Sequence, residues 1–196
     1  MSLWRLVLQI GRAGALCAVL AASATGAEAP KRVVSANLCA DQLLLALADP
    51  NQIVSLSPLA RDARTSFLHE RATAFAANRG HAEDVARAQA DLVLTSPFDG
   101  GLMRTLLAAR GVDFFPVAPW TGLDDGRARI RALAARLGRA ERGEALIAEI
   151  DAALARGRDA AREARTVLAL ERRGYMPGAD SLIADTVRDV LVDRGL

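Results

Sequence analysis

The chain has little of what catalytic and metal sites are usually built from. Two histidines, His69 and His81, and two cysteines, Cys17 and Cys39, are spread over 196 residues. None stands at a spacing with Asp or Glu that marks a zinc site, so no metal ligands are assigned. There is no Gly-x-Ser-x-Gly elbow and no phosphate-cradling glycine loop, and Gly100-Gly101 is too short a feature to replace one. No cofactor is expected. Aromatic residues make up 4% of the chain. The arginine-rich stretch from Arg127 to Arg142 therefore lacks the stacking groups of a nucleic-acid surface, and acids are interleaved along it, so it reads as a solvated helix face with no nucleic-acid partner.

What is abundant is aliphatic. Hydrophobic residues reach 52%, a composition that suits an Ala- and Leu-rich α/β protein with short buried strands. The first stretch is set apart from the fold. Arg5 precedes an apolar run from Leu6 to Ala22, broken only by Arg12, and Ala22-Ser23-Ala24 closes it with the small-x-small pattern of a secretory signal peptide over residues 1–24. Ala27-Glu28-Ala29 is a second, weaker cleavage position. An uncleaved membrane anchor is the competing reading, because the run is of marginal spanning length. Leu16 precedes Cys17 where a lipoprotein signal carries a small residue, which argues against lipidation. Cleavage removes Arg5, Arg12 and no acid, so the formal charge of +2 falls to zero. The case for nucleic acid or an anionic membrane as partner falls with it. Cys39 alone then remains, with no disulfide partner, and is read as a packed structural cysteine.

From Pro30 onward the pattern alternates strand and helix. Lys31–Ala36 is a β-branched run, Ala40–Leu47 a helix capped by Asn37 or Asp41, and Gln52–Ser57 a second strand. Pro58–Asp62 is a loop whose Arg61 is either a ligand contact or a solvated charge, and a weakly helical segment follows through Phe67 and Phe75. The polar loop Asn78-Arg79-Gly80-His81 leads to a short helix from Glu83 to Ala88. Asp91–Ser96 is a third strand and Pro97-Phe98 a loop. Gly100–Arg110 is a helix with Leu102, Met103, Leu106 and Leu107 on its inner face, and Val112–Val117 is a fourth strand. Repeated strand-helix units imply right-handed crossovers and a parallel sheet, with ligands at the carboxyl ends of its strands.

A different regime begins at Trp120. Apolar residues at Ile130, Leu133, Leu137, Leu146, Ile150 and Leu154 keep a helical period, with a weak point near Gly138, so residues 120–162 read as one long connecting helix. Thr166–Glu171 restarts strand character, Arg172–Gly178 with Tyr175 is a loop, and a last helix starts at Ser181. Residues 30–119 are thus expected to form one α/β lobe and 163–196 the start of a second, incomplete one, since one strand cannot build a sheet.

The residues Arg32-Val33-Val34-Ser35, Ala40-Asp41-Gln42-Leu43-Leu44-Leu45-Ala46-Leu47, Gly80-His81-Ala82-Glu83-Asp84-Val85, Ala90-Asp91-Leu92-Val93-Leu94 and Gly178-Ala179-Asp180-Ser181-Leu182 occur in that order over almost all of the chain beyond the leader. In this they resemble the periplasmic substrate-binding proteins of ABC transporters for cobalamin, ferric siderophores and related metal chelates. The resemblance implies two Rossmann-like lobes with parallel sheets joined by a long helix, ligand held between them, and delivery to a transmembrane permease without chemistry. It implies ligand contacts at Ser57, Arg61, Asn78, Arg79, Pro97, Phe98, Trp120 and Tyr175, and a permease-docking carboxylate at Glu83. Family members run longer and carry a second docking glutamate that is absent here. The Asn78-Arg79 loop lacks the aromatic often found in cobalamin binders. With Arg61, Arg172 and Arg173 it tilts the expected ligand toward an anionic ferric chelate, because guanidinium groups suit carboxylate or catecholate oxygens. Two rivals stand beside this reading: a secreted α/β enzyme using Asp41, His81 or Glu83 as acid or base, and a truncated remnant without function.

Overall fold

The computed structural model describes residues 28–98, 101–160, 169–170 and 172–192. The expected signal peptide lies outside the described residues. So does the strand expected at Thr166–Glu171, except for Ala169 and Leu170, which have no regular structure. Among the described residues no helix is long and apolar enough to cross a membrane.

The four strands read from the sequence form as β1 (Val33–Ser35), β2 (Ile53–Leu56), β4 (Leu92–Thr95) and β5 (Asp113–Pro116). A two-residue strand that the sequence does not announce, β3 (Ala76–Ala77), adds to the edge just after the segment through Phe67 and Phe75 that was expected to be weakly helical. Only its first part is helical, as α2 (His69–Ala72). Alanine has little intrinsic strand preference; β3 exists because Ser55 and Leu56 of β2 offer it a parallel ladder. The five strands are all parallel, in the order β3-β2-β1-β4-β5.

Strand alternation divides the core into two layers. Val33, Leu92 and Leu94 face α1 (Leu38–Leu47), α5 (Leu123–Arg136) and α6 (Ala140–Ala160), packing with Leu44, Leu47, Ile130, Leu133 and Leu137. Val34 and Val93 face the other way, onto Val85 of α3 (Ala82–Arg87) and Met103 and Leu107 of α4 (Gly101–Leu107). Burying each such side chain contributes about 1.5–3 kcal/mol. The outward half of α4 departs from expectation. Leu102 and Leu106 are 76% and 55% exposed rather than inward, because in so short a helix only the Met103/Leu107 stripe can meet the sheet.

The connecting segment is two helices, α5 and α6, not one. Gly138 breaks it with φ of +71°, a left-handed C-terminal stop that glycine adopts without strain. The chain then turns back. Gly143 of α6 lies so close to α5 that an added Cβ would sit 2.6 Å from the Ala134 Cβ. Arg142 fastens the start of α6 to the end of α1, donating to the Leu47 and Ala48 carbonyls at 2.8 and 2.7 Å. It also pairs with Asp49 at 2.8 Å, and Arg139 joins the same carboxylate. After a turn at Arg172–Gly174, α7 (Leu182–Val187) follows and leads into a π-helical turn at Arg188–Val192. Asp185 of α7 accepts from the Leu123 N–H at 2.8 Å and so caps α5.

Candidate functional site

β1 and β4 are neighbours in the sheet, yet the chain leaves β1 for β2 on one side and β4 for β5 on the other. The loops at their carboxyl ends therefore diverge and leave a crevice, the position at which open α/β sheets hold ligands. A cleft of about 540 Å³ occupies it. One wall is the loop and helix start Arg79, Gly80, His81 and Glu83; the opposite wall is Leu102, Met103 and Leu106 of α4; Ala36, Thr95 and Ser96 form the floor. The guanidinium of Arg79, the ring of His81 and the carboxylate of Glu83 face solvent with no hydrogen bond or ion pair to the described residues. Thr95 is 1% exposed, and its Oγ1 has no partner among the described residues.

The wall that carries Arg79 is held from below. Asn78 is 6% exposed. Its Nδ2 donates to the Ser35 carbonyl at 2.9 Å and to Ser55 Oγ at 3.0 Å, and its Oδ1 accepts from the Gly80 N–H at 2.9 Å. The Arg79 N–H donates to Asp84 at 2.9 Å, which holds the Asp84 carboxyl below the usual range. One side chain thus ties the ends of β1 and β2 to the rim loop that follows β3.

A second buried strut involves Asp41. The cap of α1 is Asn37, whose Oδ1 accepts from the Ala40 N–H at 2.9 Å. Asp41, fully buried, accepts instead from the Ser57 N–H at 3.0 Å and the Ser57 hydroxyl at 2.5 Å, fixing the loop after β2. Burial pushes its carboxyl upward, against the hydrogen bonds from Ser57 and Ser35.

Of the residues expected at the ligand, Arg79 and the docking candidate Glu83 line the same cleft. Ser57 and Asn78 are turned inward as described. Arg61 spends its guanidinium on the Phe75 carbonyl, bracing β3. Pro97 and Phe98 are exposed on the rim, Phe98 at 86%, and the Phe98 N–H donates to Ser96 Oγ at 3.2 Å. Trp120 is half-buried over Gly126, whose added Cβ would lie 2.6 Å from its ring. Tyr175 is exposed, and none of these lines the cleft. Cys39, expected to be packed, is exposed, since it falls on the solvent side of α1's first turn. Of the three acid-base candidates of the enzyme reading, His81 and Glu83 line the cleft and Asp41 does not. Sequence reasoning missed Thr95, Leu102 and Leu106. The spacing of the leucines, one position ahead of Met103 and Leu107, was the available signal.

No curated protein matches this sequence. Solved structures do. A possible iron-binding, periplasmic solute-binding protein of Staphylococcus epidermidis aligns with a TM-score of 0.66 and 14% identity over 82% of this chain and 65% of its own. The periplasmic haem-binding protein HutB of Vibrio cholerae gives 0.64 and 17%, over 82% and 63%. The periplasmic haem-binding protein RhuT of Roseiflexus sp. gives 0.56 and 25%, over 74% and 57%. The chain thus spans somewhat less than two thirds of each of these relatives, and at such identities the likeness is one of fold. The doubly wound parallel sheet, the crevice at its switch point and a match of residues 33–193 to the model of the periplasmic binding protein family place this chain in that family.

Proposed function

We propose that the protein is the solute-binding component of an ABC importer, which captures an iron-siderophore or cobalamin-type metal chelate in the periplasm and delivers it to the membrane permease. The observation that carries this is the cleft at the β1/β4 switch point in a chain of the periplasmic binding protein family. Structurally similar proteins described as binding iron, haem or a siderophore support a metal chelate as cargo. The metal would be held by its organic chelator, since among the described residues no three His, Cys, Asp or Glu side chains group as metal ligands. Arg79 is the ligand contact best supported by placement. Pro97, Phe98, Trp120 and Tyr175 remain rim candidates, and Glu83 remains the candidate for docking to arginines of the permease. Export through the signal at residues 1–24 belongs to the same proposal.

Titration of the full chain at low ionic strength with ferric siderophores, ferric porphyrin and cobalamin, read by Trp120 fluorescence, is the test. Saturable quenching by at least one of them is expected. No response to any removes the proposal.

A further inference from the structure

Thr95 is the last residue of β4, and its side chain lies on the Val93 side of the strand, facing α3 and α4 rather than α1. Val93 is sealed under Met103 and Leu107. Two residues on, the same face opens into the cleft, so Thr95 stands where the core ends and the ligand crevice begins. A buried hydroxyl without a partner costs about 1–3 kcal/mol and is retained where something else completes it. Leu102 and Leu106 present an apolar wall across from it, more than half exposed. The only cation of the lining, Arg79, has an unpaired guanidinium, and Asn78 fixes the backbone from which it projects.

We propose that Thr95 and Arg79 form a carboxylate subsite, in which the Thr95 hydroxyl and the guanidinium donate to one carboxylate of the bound chelate while Leu102 and Leu106 cover the hydrocarbon next to it. This rests on the binding-protein reading and narrows it. The cargo is an amphipathic chelate with a free carboxylate flanked by an apolar face; a fully polar chelate or a neutral trihydroxamate does not meet both walls. Charge and hydroxyl act together, because a charge-assisted hydrogen bond is roughly twice as strong as a neutral one, and esterification reduces the carboxylate to a neutral acceptor.

The test uses the full chain with a matched pair of probes, ferric deuteroporphyrin and its dimethyl ester, and a ferric trihydroxamate as third arm. The free acid is expected to bind about tenfold or more tightly than the ester. Thr95→Val, which keeps shape and removes the hydroxyl, and Arg79→Gln are each expected to erase most of that ratio by weakening the free acid far more than the ester. Should Thr95→Val fail to fold, Arg79→Gln on the exposed loop decides alone. Equal affinity for acid and ester, or a ratio untouched by the variants, overturns the subsite. Binding of the trihydroxamate with neither porphyrin bound overturns the subsite and leaves the transport reading standing. Binding of none of the three, nor of cobalamin, overturns both.

Discussion

Asp41 shows how far a residue's position in sequence is from its role. A carboxylate in the first turn of a helix reads as a dipole partner or a cap, yet its oxygens take two hydrogen bonds from Ser57, sixteen residues on. Nothing local announces this, because the contact is made only when β1 and β2 align. Asn78 repeats the lesson: a polar residue in a rim loop looks like a ligand contact, and it became a strut. Replacing Asn78 by Ala leaves the Ser35 carbonyl and the Gly80 N–H without their partner, and is expected to cost about 1–3 kcal/mol in urea unfolding. Asp41 also makes a pH prediction. Its folded carboxyl titrates above the 3.8 of the free group because burial outweighs its hydrogen bonds. The folded state therefore holds more protons than the unfolded state between those two values. The stability this group contributes is full below 3.8 and is lost as pH rises through the folded value. Asp41→Asn, which mimics the neutral acid, should then gain on the wild type as pH rises through that window. Urea midpoints of both proteins from pH 3.5 to 7 check it, and a difference that stays flat would show that Asp41 is not destabilised by burial.

Among the elements, the parallel strands were legible because each is a short apolar run bounded by turn residues, and the register follows from burying both faces. β3 was not legible, since two alanines carry no pattern of their own. The α5–α6 break was half legible. Apolar periodicity runs through residues 120–162 without interruption, so only Gly138 hinted that the chain folds back. Gly143 is the consequence of that fold-back. Ala is favoured over Gly in a helix by about 1 kcal/mol, but here its Cβ would lie 2.6 Å from the Ala134 Cβ. Forcing the two helices apart costs about 1–3 kcal/mol, so Gly143→Ala is expected to lower the thermal midpoint despite the better helix propensity. A midpoint that rises would mean the α5–α6 contact is loose.

For the whole molecule, the strand order decides what the cleft can do. It puts the switch in the side on which successive strands are added between β1 and β4, and so gathers Arg79, His81 and Glu83 on one side and the α4 leucines on the other. The general location was readable from the alternation of strands and helices, but the sharing of one crevice by a ligand candidate and a docking candidate was not, because it depends on how α3 stands against α4. That shared placement makes Glu83 the sharpest test of how the protein meets its transporter. A rim carboxylate that pairs with permease arginines guides docking more than it adds affinity, and such pairs weaken with salt. Glu83→Arg is expected to reduce permease association and transport severalfold, with the deficit greatest at low ionic strength, while affinity for the dimethyl ester of ferric deuteroporphyrin, which offers no carboxylate to the new guanidinium, stays within about twofold. The two are separable by measuring soluble-ligand titration beside binding to permease-loaded vesicles. If both fall together, Glu83 touches the cargo and the docking surface lies elsewhere; if neither falls, the carboxylate is a solvated charge on the wall beside Arg79.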